Sequence, residues 1–134
     1  MIGRNNPLNI RYSPFNTWKG QRGQTKGFCN FSELKYCFRA ALIIIRISYF
    51  KRGIKSYYQI ISSWSPSSEN NTNSYIRYIL SKCMVNRLEV PNCIEDFACL
   101  FYYMWCFEQG SKNRPTLSIA DIEKIISELD LNVF

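Results

Sequence analysis

The sequence predicts a single, mainly α-helical domain of about five helices behind a short N-terminal region of loops and a hairpin. Three observations carry this. Apolar residues recur at helical spacing in separate segments, and each segment is bounded by residues that start or stop helices. Four of the six glycines fall within residues 1–31, among short aromatic and β-branched pieces that suit loops and a hairpin. A chain of 134 residues with 46% hydrophobic and 16% aromatic residues can bury one modest core and lies far from disordered compositions.

The elements follow in order. Ser32 is placed to cap a helix through "ELKYCFRAALIIIRISYFKR", with Leu34, Cys37, Phe38, Ala41, Leu42 and Ile45 on one face and Gly53 as the stop. A shorter helix over 54–64 carries Ile54, Tyr57, Ile60, Ile61 and Trp64. The polar stretch "SPSSENNTNS" interrupts it, and Asn71 or Thr72 is placed to cap the next helix, whose Tyr75, Ile76, Ile79 and Leu80 repeat at helical spacing. Pro91 and Asn92 open a fourth, with Glu95 in a capping-box position. This helix contains "CLFYYMWCFEQG" and stops at Gly110. Ser118 and Asp121 form a second box ahead of a last helix through Ile119, Ile122, Ile125, Ile126 and Leu129.

Charge narrows the partners. Seventeen Lys and Arg against ten Asp and Glu give +7, weighted towards the first half of the chain, which favours an anionic partner such as nucleic acid, acidic glycan or wall polymer. Basic and aromatic residues interleave, but no DNA- or RNA-binding motif is recognisable, so a nucleic-acid-binding module ranks low. The apolar run "AALIII" is far short of the roughly 20 residues of a membrane span. The first residues lack the apolar stretch of a signal peptide, so synthesis in the bacterial cytoplasm is expected.

Several chemistries are excluded. With no histidine, neither a Ser–His nor a Cys–His nucleophile can form. The six cysteines show no Cys-x-x-Cys pair, so no metal and no cofactor is expected, and Cys93, Cys99 and Cys106 read as small buried hydrophobes rather than disulfide partners. "WKGQRGQTKGF" lacks the spacing of a phosphate loop.

Two carboxylates stand apart. Most others have plain explanations: Glu33, Glu95, Asp121 and Glu123 sit in first turns, where helix N-termini favour them, while Glu128 and Asp130 lie near a solvated end. Glu108 instead ends a helix that is apolar on nearly all sides, beside Met104, Trp105 and Phe107. Desolvation and the negative helix pole both raise a carboxyl pKa, the condition for a general acid, although a helix-end Glu can also simply face water. Glu69, among hydroxyls and amides in "WSPSSENNTNSYI", can serve a sugar or a catalytic water, or merely act as a turn acceptor. Asn6 and Asn9 in "RNNPLNI" suit turns and, beside Tyr12 and Trp18, also suit glycan recognition.

Taken together, "RNNPLNIRYS" with "WKG", then "WSPSSENNTNSYI", then "FEQG" resemble a family of small phage and prophage proteins. The family pattern is N-N-P-G-N-I-R, W-x-G, W-A-P-x-S-E-N-x-T-x-x-Y-I and E-N-G in that order, and its members are often labelled structural or virion proteins. Leu8 and Gln109 replace the family's Gly and Asn, and Cys37 stands where Gly is common. That family in turn resembles a circularly permuted lysozyme-like or lytic transglycosylase domain, in which a catalytic Glu ends a buried helix. The resemblance implies a lysozyme-like α+β fold and cleavage of the MurNAc–GlcNAc backbone of peptidoglycan. It implies Glu108 as general acid and Glu69 as possible base. Asn6, Asn9, Tyr12 and Trp18 would line the groove, with Asn70 and Tyr75 on a second wall. Such a protein acts on the cell wall after release or from the virion; the alternative is a non-catalytic virion protein.

Overall fold

A computed structural model of the chain describes residues 1–66 and 68–134 and, for Glu69 and Asn70, the backbone alone. The first ten residues are wound around one buried amide. Asn6 is fully buried, with Nδ2 donating to the Ile10 and Cys29 carbonyls at 2.9 Å each and Oδ1 accepting from the Ile10 N–H at 2.9 Å. The Cys37 thiol also points at Oδ1, 3.5 Å away. With every polar atom of the amide engaged, the loop can bury Leu8 and Ile10 without stranding its backbone.

The expected hairpin follows as β1 (Gln21–Thr25) and β2 (Phe28–Phe31), antiparallel, with Thr25 opposite Phe28 and an irregularity between Gln21 and Gln24. Lys26 and Gly27 both have positive φ, 50° and 85°, the backbone of a two-residue turn that matches strand twist. Gly20 of "WKG" also has a structural reason: at φ 79° its face lies against Tyr36, and a Cβ would collide with that ring.

The five α-helices among the described residues are α1 (Leu34–Leu42), α2 (Tyr57–Trp64), α3 (Glu69–Cys83), α4 (Ile94–Gln109) and α5 (Ile119–Glu128). A π-helical segment, Ile43–Tyr49, continues α1 without a break. The chain turns off after Gly53 at φ 79°, the stop expected from the sequence. Cys37, Phe38, Ala41, Leu42 and Ile45 are buried as the periodicity predicts. Of these, Phe38 packs against α4, stacking on Phe101 with ring centroids 6.0 Å apart and leaning on Trp105 at 6.3 Å. Helix α5 closes the other side of α4 through Ile122 and Ile126.

Helix α2 begins at Tyr57, behind a Ser56–Gln59 capping box, rather than at 54. Three further helix starts differ from the expectation. Ser32 does not cap α1; Glu33 holds the cap position in extended backbone, with no side-chain hydrogen bond. Helix α3 begins before Asn71, because the Ser68 hydroxyl accepts from the Asn71 N–H and brings Glu69 into the first turn. Helix α4 has Cys93 at its cap, and the N–H of Asn92 donates to Asp96 rather than to a Glu95 box. In each case several polar residues compete within four positions for one role, and tertiary packing chooses. At Ser118 there is no competitor, and the box with Asp121 forms as read.

Candidate functional site

The N-terminal loop meets the end of α4. Two loop residues, Asn5 and Asn9, adopt left-handed backbone with φ of 53° and 55°, a conformation that Asn tolerates better than other side chains apart from glycine. This turns the Asn9 side chain towards α4, where its Nδ2 donates to Glu108 Oε1 at 2.9 Å. Gln109 completes a clasp: its Nε2 donates to the Pro7 carbonyl at 2.8 Å and to Asn9 Oδ1 at 3.1 Å. The amide of Asn9 thus binds both neighbours at once, and Gly110 ends the helix at φ 83°.

Helix α3 supplies the other flank. Tyr75 is buried and stacks on Phe107, with centroids 4.1 Å apart and planes 18° from parallel. Its hydroxyl has no hydrogen bond of ordinary geometry, and its strongest charged neighbour is the Glu108 carboxylate. Burial and that carboxylate push the Tyr75 phenol well up, so it stays a neutral donor.

Glu108 titrates above the ordinary glutamic acid value. Desolvation is the largest cause; the hydrogen bond from Asn9, the nearby Tyr75 hydroxyl and the charge of Arg11 pull the other way without cancelling it. The electrostatics of Glu108 therefore combine a sheltered carboxyl that favours its proton with donors that soften the anion when the proton leaves.

Beside this clasp runs a groove of about 700 Å³. It is lined by Asn9, Arg11 and Trp18 of the loop, Tyr49 of the π-helical segment, and Ser63 and Trp64 of α2. The Trp64 indole N–H donates to the Leu8 carbonyl at 3.2 Å and fixes that ring. The π-helical turn matters here, since widening the helix by one residue per turn re-aims side chains, and Ile43, Ile44 and Tyr49 all reach the groove.

Of the residues singled out in the sequence, Glu108, Asn9 and Tyr75 come together, and Trp18 lines the groove that Asn9 shares. Asn6 does not belong to a binding surface: it is wholly buried, and its amide is spent on the loop itself. Tyr75 is equally inaccessible and acts behind Glu108 rather than as a groove wall. Tyr12 is exposed at 42% and lies outside the groove lining. Glu69 and Asn70 open α3, but their side chains lie outside the described residues. Gln109, Arg11, Tyr49 and Trp64 were not singled out; Arg11, Trp64 and Gln109 lie inside the quoted motifs, while Tyr49 has no local signal.

The six cysteines are free thiols. Among the described residues no group of three or more Cys, Asp or Glu side chains is arranged to hold a metal ion, and no helix is long and apolar enough to cross a membrane.

No family model matches the chain. It is 31% identical over 114 residues to Protein P5 of Pseudoalteromonas phage PM2, an alignment that covers 82% of this chain and 71% of that protein. The chain belongs to the Protein P5 family. Membership places it with a phage protein, the origin to which the Asn-rich, Trp-x-Gly and Glu-x-Gly segments pointed. Within this family member, the clasp draws together the first and the last of those segments.

Proposed function

We propose that this Protein P5 relative is a peptidoglycan-cleaving glycosidase of lysozyme or lytic transglycosylase type, with Glu108 as its general acid. One observation carries the reading: a sheltered carboxyl with a raised pKa, hydrogen-bonded by Asn9, which itself lines an aromatic groove that Glu108 stands behind rather than lines. In the proposed step Glu108 gives its proton to the oxygen between N-acetylmuramic acid and N-acetylglucosamine. The C1–O bond breaks, the leaving sugar departs with that proton, and an oxocarbenium-like sugar remains.

The Asn9 amide holds the resulting Glu108 carboxylate in place, with the neutral Tyr75 phenol beside it. A water, or the sugar's own C6 hydroxyl, then attacks C1 and returns a proton to Glu108. A single carboxyl can thus act as acid and then base, and Glu69 remains a proposed second base from the first turn of α3. Acid catalysis of this kind is worth on the order of 10² to 10⁴ in rate. The +7 charge supports a role at an anionic wall, reached after release from the cell or carried by the virion.

The test is the release of soluble glycan from dye-labelled bacterial walls by purified protein. Release that disappears in Glu108→Gln supports the proposal. Release that survives the substitution removes Glu108 from its role, and a parent protein with no effect on walls favours the non-catalytic virion reading.

A further inference from the structure

The groove carries one charge. Among its described lining residues Arg11 is the only ionisable cation or carboxylate; the rest are aromatic, aliphatic, amide or hydroxyl side chains and a proline. Arg11 is exposed, and among the described residues the only ion pair is Lys35 with Glu33, so no protein carboxylate neutralises it at contact distance. It is nonetheless held in place. Its backbone bridges to Phe28, and its guanidinium lies over the Phe28 ring, 4.9 Å from the centroid.

Arg46 shows what a structural arginine looks like in the same fold. Its Nε donates to the Val133 carbonyl at 2.7 Å, and its guanidinium sits near both Phe50 and Phe134. Arg11 has the ring but no such acceptor among the described contacts, and it faces a groove rather than a terminus. A planar fork of donors, pre-positioned on an aromatic ring, is matched to a carboxylate.

We infer that Arg11 makes the groove selective for an acidic glycan, pairing with a carboxylate on the sugar chain or on its stem peptide while Trp18, Tyr49 and Trp64 contact sugar faces. This rests on the glycan reading of the site given above. A neutral chitin-like chain fits the same aromatic surfaces but offers nothing to the guanidinium. Specificity of this kind is a difference between two affinities, and one charge-assisted, pre-positioned pair is worth about tenfold.

The experiment measures equilibrium binding to the Glu108→Gln protein, so that no ligand is cleaved. Three probes are used: a neutral N-acetylglucosamine tetrasaccharide, a tetrasaccharide alternating with muramic acid that keeps free lactyl carboxylates, and the same chain bearing stem peptides. One or both acidic probes should bind about tenfold tighter than the neutral one, and which of them does so identifies the carboxylate. Arg11→Met keeps apolar packing on Phe28 and should bring the ratio of acidic-probe to neutral-probe affinity to about one. Arg11→Lys should retain part of the preference.

A merely structural Arg11 would instead weaken all three probes together. Equal binding of the three, no binding of any, or a preference that survives Arg11→Met overturns the inference. Wall release by the parent protein and by Glu108→Gln is scored separately, so loss of the Arg11 preference and loss of the Glu108 assignment give different results.

Discussion

Glu108 and Asp121 are both carboxylates hydrogen-bonded at a helix end, and the fold drives them in opposite directions. Asp121 sits in the first turn of α5, open to water, where the Ser118 N–H donates to its Oδ2 at 2.9 Å and holds its pKa below the ordinary value. Glu108 sits in the last turn of α4, where burial raises its pKa against the pull of Asn9, Tyr75 and Arg11. The first arrangement stabilises a helix start by favouring the anion. The second opposes the anion, which a helix stop does not require and an acid does. The difference teaches that the chemistry of a carboxyl here follows from which end of a helix it occupies and how much water it keeps.

The contrast breaks most visibly at Glu108 itself. Glu108→Gln should reduce glycan release from walls by about 10² to 10⁴, the usual worth of a general acid. The same variant should melt at a higher temperature than the parent at pH 7. The sign follows from the raised pKa: the folded state holds the Glu108 proton more tightly than the unfolded chain, so its stabilisation is full below the ordinary value of 4.5 and is lost as pH rises through the folded value. The stability gap between variant and parent should therefore open as pH rises above about 4.5 and close below it. Thermal melts from pH 3 to pH 8 would read this directly. A variant that is less stable than the parent at every pH would mean that the carboxyl is a structural acceptor, and the contrast with Asp121 would collapse.

Asn9 gives the next largest effect. Asn9→Gly keeps the left-handed backbone at φ 55° accessible but deletes the amide that joins Glu108 and Gln109. Stability should fall by about 1 to 2 kcal/mol, measured by denaturant unfolding. Because the Asn9 hydrogen bond lowers the pKa of Glu108, its removal should move the alkaline limb of wall release to higher pH. A limb that stays put or moves down would show that Asn9 positions the loop without acting on the acid.

Much of the fold was legible because its signals are local. Gly53 and Gly110 stop their helices, and Ser118 with Asp121 boxes the last one, all decided within a few residues. The buried face of α1 followed from periodicity alone. The site was legible only in part. Glu108 announced itself by its position at the end of an apolar helix, but its partner Asn9 is 99 residues away, and no spacing rule reaches that far. The same holds for Asn6, whose amide looks on paper like its neighbour's yet closes a loop from inside. Two asparagines three residues apart thus do unrelated work, because the turn between them points one side chain inward and the other at α4. Tyr49 was invisible for a further reason: a groove is a property of three segments, and a residue that each contributes can be unremarkable alone.

The smallest expected effect lies at the other carboxylate's partner. Ser118→Ala removes the hydroxyl that accepts from the Asp121 N–H at 3.1 Å and should cost about 1 kcal/mol of stability. Helix α5 packs on α4 through Ile122 and Ile126, but its start makes no described contact with the clasp, so wall release should be unchanged at a temperature where the variant is folded. Asp121 also sets a pH signature opposite to that of Glu108. Its lowered pKa contributes stability that is present above the ordinary value of 3.8 and is lost as pH falls through the folded value. Weakening the box should therefore narrow the gap between parent and Ser118→Ala in acid, just where the Glu108→Gln gap also closes but with the parent now the more stable protein at neutral pH. Opposite signs at pH 7 from two helix-end carboxyl sites in one small domain are what the comparison requires; equal signs would mean that helix end and burial do not govern these carboxyls.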